Sequence, residues 1–178
     1  NQGKTSTLNS TISKIFKDVH KNIFDQIKVF EDKSKIQDDV WHKKELGNGN
    51  SVVIDDGNFF DKAGINFSSI SGKSLPESSV GNKSKSMGLP FFATGVSVVF
   101  HPKNPHIPTA HLNVRYFCTH KKNQVFEEWF GGGFDLTPYI LDKEDCKRWH
   151  KGAKDVCGLI DDNFYKVSKK NCDDYFYI

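Results

Sequence analysis

The segment Thr109–Phe117 reads as a strand whose alternate positions separate by chemistry. Ala110, Leu112, Val114 and Tyr116 fall on one side, and His111, Asn113 and Arg115 on the other. Along Val96–His101, Ser97 and His101 lie opposite Val96, Val98 and Phe100 in the same way. If the two strands pair, one sheet surface carries Ser, His, His, Asn and Arg. Such a surface is either an ordinary solvated face or a receptor. Composition favours the receptor: of 25 basic residues only Arg115 and Arg148 are arginine, so a solvated face of this chain would use lysine. The planar fork of arginine grips a carboxylate bidentately where lysine offers a point charge. The expected ligand is an anion.

Other residue types invite further chemistry. His101, His106 and His111 form an H-x4-H-x4-H array that could hold a divalent metal, although His106 sits in a Pro-rich turn and no standard zinc spacing is present. His150 falls on the apolar side of a predicted helix near Cys146 and Ala153, where a core histidine is the simpler expectation. Gly131–Gly133 lacks both G-x-G-x-x-G and a Walker lysine, so it fits a tight strand exit or close backbone approach to a bulky flat ligand better than a phosphate cradle. Asp135 just beyond reads as a catalytic carboxylate or a turn-capping Asp. Cys118, Cys146, Cys157 and Cys172 contain no C-x-x-C pair, which points to reduced, half-buried thiols in a reducing compartment.

These residues must be positioned by a frame that the hydrophobic pattern outlines. Leu8, Ile12, Ile15, Val19, Ile23, Ile27 and Phe30 recur at steps of three and four, predicting one amphipathic helix over 8–30 that packs on a sheet. Residues 41–71 read as strands: Ser51–Ile54, a turn at Asp56-Gly57, Phe59–Phe60 and Ile65–Ile70. Residues 71–88, rich in Ser, Gly and Lys, are expected to form a mobile loop. Strands follow at Phe91–His101, Thr109–Phe117 and Gln124–Phe130. Asp142 is the predicted N-cap of a helix from Lys143 to about Ile160, and a last helix lies between Phe164 and Tyr175. Strands in succession with helices at both ends predict an α+β fold with a largely antiparallel sheet.

The 178 residues (20.2 kDa) suffice for a single domain, with an expected folded surface of roughly 8,800 Å². Twenty-five basic and 22 acidic residues are interleaved to a net charge of +3, so no basic face marks a nucleic-acid binder. The longest apolar stretch, residues 89–100, is too short and broken to span a bilayer as a helix. Residue 1 is Asn and no leader pattern follows, as in a processed or trimmed chain.

Four ordered segments, DDGNFFDKAGINFS (55–68), GVSVVFHPKNPHIPTAHLNVRYF (95–117), WFGGGFDLTPYI (129–140) and CDDYFYI (172–178), closely resemble the oxygen-dependent coproporphyrinogen III oxidases of haem biosynthesis. The resemblance implies a flat antiparallel sheet sandwiched between helices. It implies oxidative decarboxylation of two propionates of coproporphyrinogen III to vinyls, giving protoporphyrinogen IX with O₂ as acceptor. It further implies Ser97, Asn113, Val114 and Arg115 as substrate-binding positions and His111 as proton donor. Asp135 would be an acid beside the pyrrole nitrogens, and His111 and Arg115 would position the acid and move protons. Val114 stands where the family usually has an aromatic residue, and period-two placement puts it on the opposite face. No cofactor is implied, although in bacterial members histidines matching His101, His111 and His150 have been assigned to a divalent metal. A homodimer is implied, in the cytoplasm or alternatively the mitochondrial intermembrane space, with a family domain that continues past Ile178. An inactive tetrapyrrole- or anion-binding fragment and a histidine metalloprotein are the alternative readings.

Overall fold

The computed structural model describes residues 2–76, 85–122 and 124–177. Helix α1 (Gln2–Ile27) leads through two short 3-10 turns into six strands: β1 (Ile36–Lys43), β2 (Gly47–Asp55), β3 (Phe60–Gly72), β4 (Phe91–Pro102), β5 (Thr109–Lys121) and β6 (Gln124–Thr137). Helices α2 (Lys143–Cys157) and α3 (Phe164–Phe176) follow. The strands form one flat meander in the order β1-β2-β3-β4-β5-β6, each antiparallel to the next, so the α+β expectation holds. The predicted pieces around Phe59–Phe60 and Ile65–Ile70 fuse into one 13-residue β3, and the first strand begins at Ile36, before the expected 41. β6 runs straight through Gly131–Gly133. No helix among the described residues is long and apolar enough to cross a membrane.

Period-two alternation buries one face of the sheet. Val52, Ile54, Ala63, Ile65, Phe67, Val96 and Val98 form its core, each at most 4% exposed. Burying such side chains stabilises by roughly 1.5–3 kcal/mol each. The helix covers them with Phe16, Val19, Ile23, Phe24 and Ile27. The buried stripe is rotated from the expected one: Leu8 and Ile15 stay exposed, while His20 is buried against the sheet. Its Nε2–H donates to the Ile65 carbonyl at 3.1 Å, and burial pushes its pKa below the ordinary value, which keeps the ring neutral. The exposed side of α1 is laced by pairs such as Lys14–Asp18 at 3.1 Å.

Two carboxylates tie backbone N–H groups at element ends. Asp142 accepts from the backbone N–H groups of Glu144 (2.7 Å) and Asp145 (3.2 Å), which starts α2 where predicted. The Glu31 carboxylate, just after α1, accepts from the backbone N–H groups of Asn58, Phe59 and Phe60 in the β2–β3 turn. It ties the end of the helix layer to the sheet with charge-assisted bonds. Glu31→Ala is expected to orphan these donors and lower stability by about 2 kcal/mol, read as a shift in urea midpoint without a change in m-value.

Helix α2 lies on the same face as α1, at the β6 end: Phe134 and Trp149 meet edge to face with centroids 5.3 Å apart. Helix α3 docks on α2 through the Tyr165 hydroxyl, 3.0 Å from His150 Nδ1. His150 is exposed, so the expected core histidine is overturned: the apolar side of α2 is carried by Trp149, Ala153 and Val156. Neither α1 nor α2 covers the other face of the sheet, and the accessible surface is 12421 Å² against roughly 8,800 Å² expected for this mass. Exposed apolar residues on α2, on α3 and in the turn between them, where Leu159 is 86% and Ile160 70% exposed, add to the excess.

The described ends of the predicted 71–88 loop are fixed. Leu75 N–H donates to Leu89 O at 2.8 Å and Gly88 N–H to Leu75 O at 3.1 Å, with Leu75 and Ser86 buried. The loop's middle, 77–84, lies outside the described residues. All four cysteines are free; Cys118 is fully buried, and burial pushes its thiol pKa up.

Candidate functional site

The register stacks the uncovered face into rows running across the strands. One row is Trp41–Gly49–Ser68–Gly95–Arg115–Gly131. The next is Asp39–Ser51–Asn66–Ser97–Asn113–Gly133, and a third is Gln37–Val53–Gly64–Val99–His111–Asp135. Ser97, His111, Asn113 and Arg115 therefore share the surface the alternation predicted, and Ser97 and Asn113 are direct cross-strand partners. Asp135 joins them as the partner of His111. It lies inside β6, so the turn-capping alternative is overturned.

His111 Nδ1 and Asp135 Oδ2 are 3.0 Å apart, with the two side chains 44% and 29% exposed. An ionised carboxylate only accepts, so Nδ1–H donates to it and Nε2 is the nitrogen left for proton exchange. The pair sets an imidazole against a carboxylate on the open face. Arg115 is exposed, and among the described residues no carboxylate pairs with it. Most other basic side chains near an acid are paired, Arg148 with Asp145 at 3.6 Å among them. Both cross-strand neighbours of Arg115 are glycines, Gly95 and Gly131, and one neighbour of Asn113 is Gly133. At these positions the strands carry no side chain of their own, although the Trp129 ring leans over Gly131, 3.0 Å from where a Cβ would stand. Gly132, between them, has φ +157°, and a Cβ there would collide with the Asn113 carbonyl.

The fixed ends of the 73–90 segment rise beside this platform. Ser86 Oγ hydrogen-bonds to the Glu127 carboxylate and lies 3.2 Å from Thr119 Oγ1. A cavity of about 500 Å³ opens between Leu75, Phe91, Phe117 and Trp129, with Arg115 in its wall. Its lining is mixed: the aromatic rings stand with Ser68, Thr94, Ser86 and the Glu127 carboxylate, and Arg115 shares that wall.

The structure leaves two expectations aside. Val114 points its side chain into the core packed under α1, so it offers a ligand no side-chain contact. The histidines do not assemble: His101 Nδ1 faces Thr109 Oγ1 at 3.5 Å, His106 sits exposed in the turn, and His150 bonds Tyr165 on the helical side. Among the described residues no three His, Cys, Asp or Glu groups could hold a metal, so neither His101, His111, His150 nor the H-x4-H-x4-H set fits one. Sequence reasoning also passed over Ser51, Asn66 and Ser68. The alternation of Ala63, Ile65 and Phe67 with Gly64, Asn66 and Ser68 carried that signal, but nothing in it revealed which strand β3 would join.

One sheet surface thus carries Arg115, the His111–Asp135 pair and a run of glycines. The family model for coproporphyrinogen III oxidase matches residues 11–178, and the chain belongs to that family, whose enzymes act in haem biosynthesis.

Proposed function

We propose that this protein carries out the oxygen-dependent form of the family's reaction, on the open sheet face. The observation that carries the reading is that the unpaired Arg115 and the His111–Asp135 pair share one sheet face, four residues apart along β5. Each of the two reacting propionate arms, ring–CH₂–CH₂–COOH, loses CO₂ from its terminal carbon and two hydrogens with their electrons, leaving ring–CH=CH₂. O₂ takes up the two electrons and two protons as H₂O₂. The electron-rich pyrrole is itself able to reduce O₂, so the protein's task is to bind, orient and move protons.

Arg115 grips a carboxylate, with Ser97 and Asn113 donating alongside. As the pyrrole gives up electrons, positive charge develops on the ring, and the Asp135 carboxylate stabilises it. His111, held through Nδ1 by Asp135, exchanges protons at Nε2. The exposed apolar groups on α2 and α3 support a homodimer, and four unpaired thiols suit a reducing compartment such as the cytoplasm.

The reaction is tested by mixing the protein with coproporphyrinogen III in air with EDTA present and resolving the products chromatographically. Protoporphyrinogen IX or the three-propionate intermediate, with H₂O₂ released per vinyl formed, is the expected result. Unchanged substrate in air, or turnover without O₂ consumption, would sink the reading.

A further inference from the structure

We infer that Asn66 is a second carboxylate-receiving residue of the same platform, opposite in position to Arg115. The inference rests on the reading that the sheet face binds a flat tetracarboxylate. Asn66 belongs to the row Ser51–Asn66–Ser97–Asn113, four consecutive hydrogen-bonding side chains on four adjacent strands. Its neighbours along β3, Ile65 and Phe67, are 1% and 3% exposed on the core side, so Asn66 stands on the open face, where it is exposed. Gly64 and Ser68 flank it at the two-residue spacing, which leaves its amide clear of bulky groups.

Distance gives the residue its role. From β5 to β3 is two interstrand steps, and Arg115 and Asn66 differ by one two-residue step along the strand, which separates their Cα atoms by about 12 Å. That is too far for one carboxylate to touch both and suits acidic arms on different pyrroles of one ring. The amide N–H₂ of Asn66 and the hydroxyls of Ser51 and Ser68 are the donors there. Asp39, one strand beyond Ser51, ends the row with a like charge that keeps an acidic arm from running off the sheet edge.

The test is a charge series at Asn66, read as fluorescence titration of coproporphyrin III, the oxidised flat counterpart of the substrate. Asn66→Ala should weaken binding about tenfold by loss of a hydrogen bond to a charged group. Asn66→Asp should weaken it about a hundredfold, and Asn66→Lys should bind at least as well as the wild type. A merely structural residue would not sort affinity by charge, and thermal midpoints should be alike because the site is exposed. If the wild type binds and Arg115→Ala weakens it while the Asn66 series is flat, or orders by size, the inference is overturned and the platform stands. If the wild type does not bind the porphyrin, the platform falls and the inference with it.

Discussion

Asp135→Asn is expected to reduce kcat by about a thousandfold while KM moves less than threefold. The substitution keeps size and a hydrogen-bonding partner 3.0 Å from His111 Nδ1, so His111 stays placed. What it removes is the negative charge, and the loss should appear only where positive charge has developed, in the transition state. Asp135→Ala removes the charge and the orienting acceptor together, so it should fall further. His111→Gln in the Asp135→Asn background separates the two parts: if the residues act as a unit, the double variant is little worse than the worse single one. The variants should fold, since Asp135 and His111 sit on the uncovered side of β5 and β6 and contribute nothing to the core cluster. Rates come from chromatographic product analysis at saturating substrate in air. Turnover of Asp135→Asn within threefold of wild type would remove Asp135 from the mechanism and leave His111 to be explained without it.

Why these residues could be found in the sequence, and others not, follows from the range of the signals. Alternation within one strand is a local property, so the division of His111, Asn113 and Arg115 from Leu112, Val114 and Tyr116 was legible before any pairing was known. The β4–β5 pairing was also within reach, because a short Pro-stiffened connection leaves adjacent antiparallel strands as the simplest topology. The relation between Asp135 and His111 was not. It depends on β6 continuing through three glycines, and glycine disfavours strand by local propensity. Here the sheet overrides propensity because β6 pairs with β5 along the glycines, Asn113 with Gly133, Val114 with Gly132 and Arg115 with Gly131. Asn66 illustrates a second kind of blindness: its own strand pattern was clear, but its functional meaning depends on register with Ser97. The helix stripe was displaced from expectation for a related reason. A polar residue, His20, takes a buried position by finding the Ile65 carbonyl, while the apolar Ile15 is left outside. His150 was misplaced because Cys146 and Ala153 mark only an edge of the apolar side of α2, whose centre is Trp149.

Arg115 should dominate ground-state recognition as Asp135 dominates the chemical step. Arg115→Ala is expected to raise KM for coproporphyrinogen III by about a hundredfold, because two parallel charge-assisted bonds to one carboxylate are lost at once. Arg115→Lys should recover only about a tenth of that loss, since an ammonium reaches the carboxylate with one donor and without the planar match. The neighbouring glycines sharpen the prediction. With Gly95 and Gly131 on either side, neither cross-strand neighbour has a side chain to replace the guanidinium. The change should therefore leave thermal stability within a degree or two while affinity collapses. A control at Arg148, which is on α2 and already paired with Asp145, should alter neither KM nor kcat. Equal KM values for wild type and Arg115→Ala would mean that the acidic arms are gripped elsewhere. The open sheet face would then need another explanation for carrying one of the two arginines of a chain whose other basic residues, Arg148 apart, are lysine.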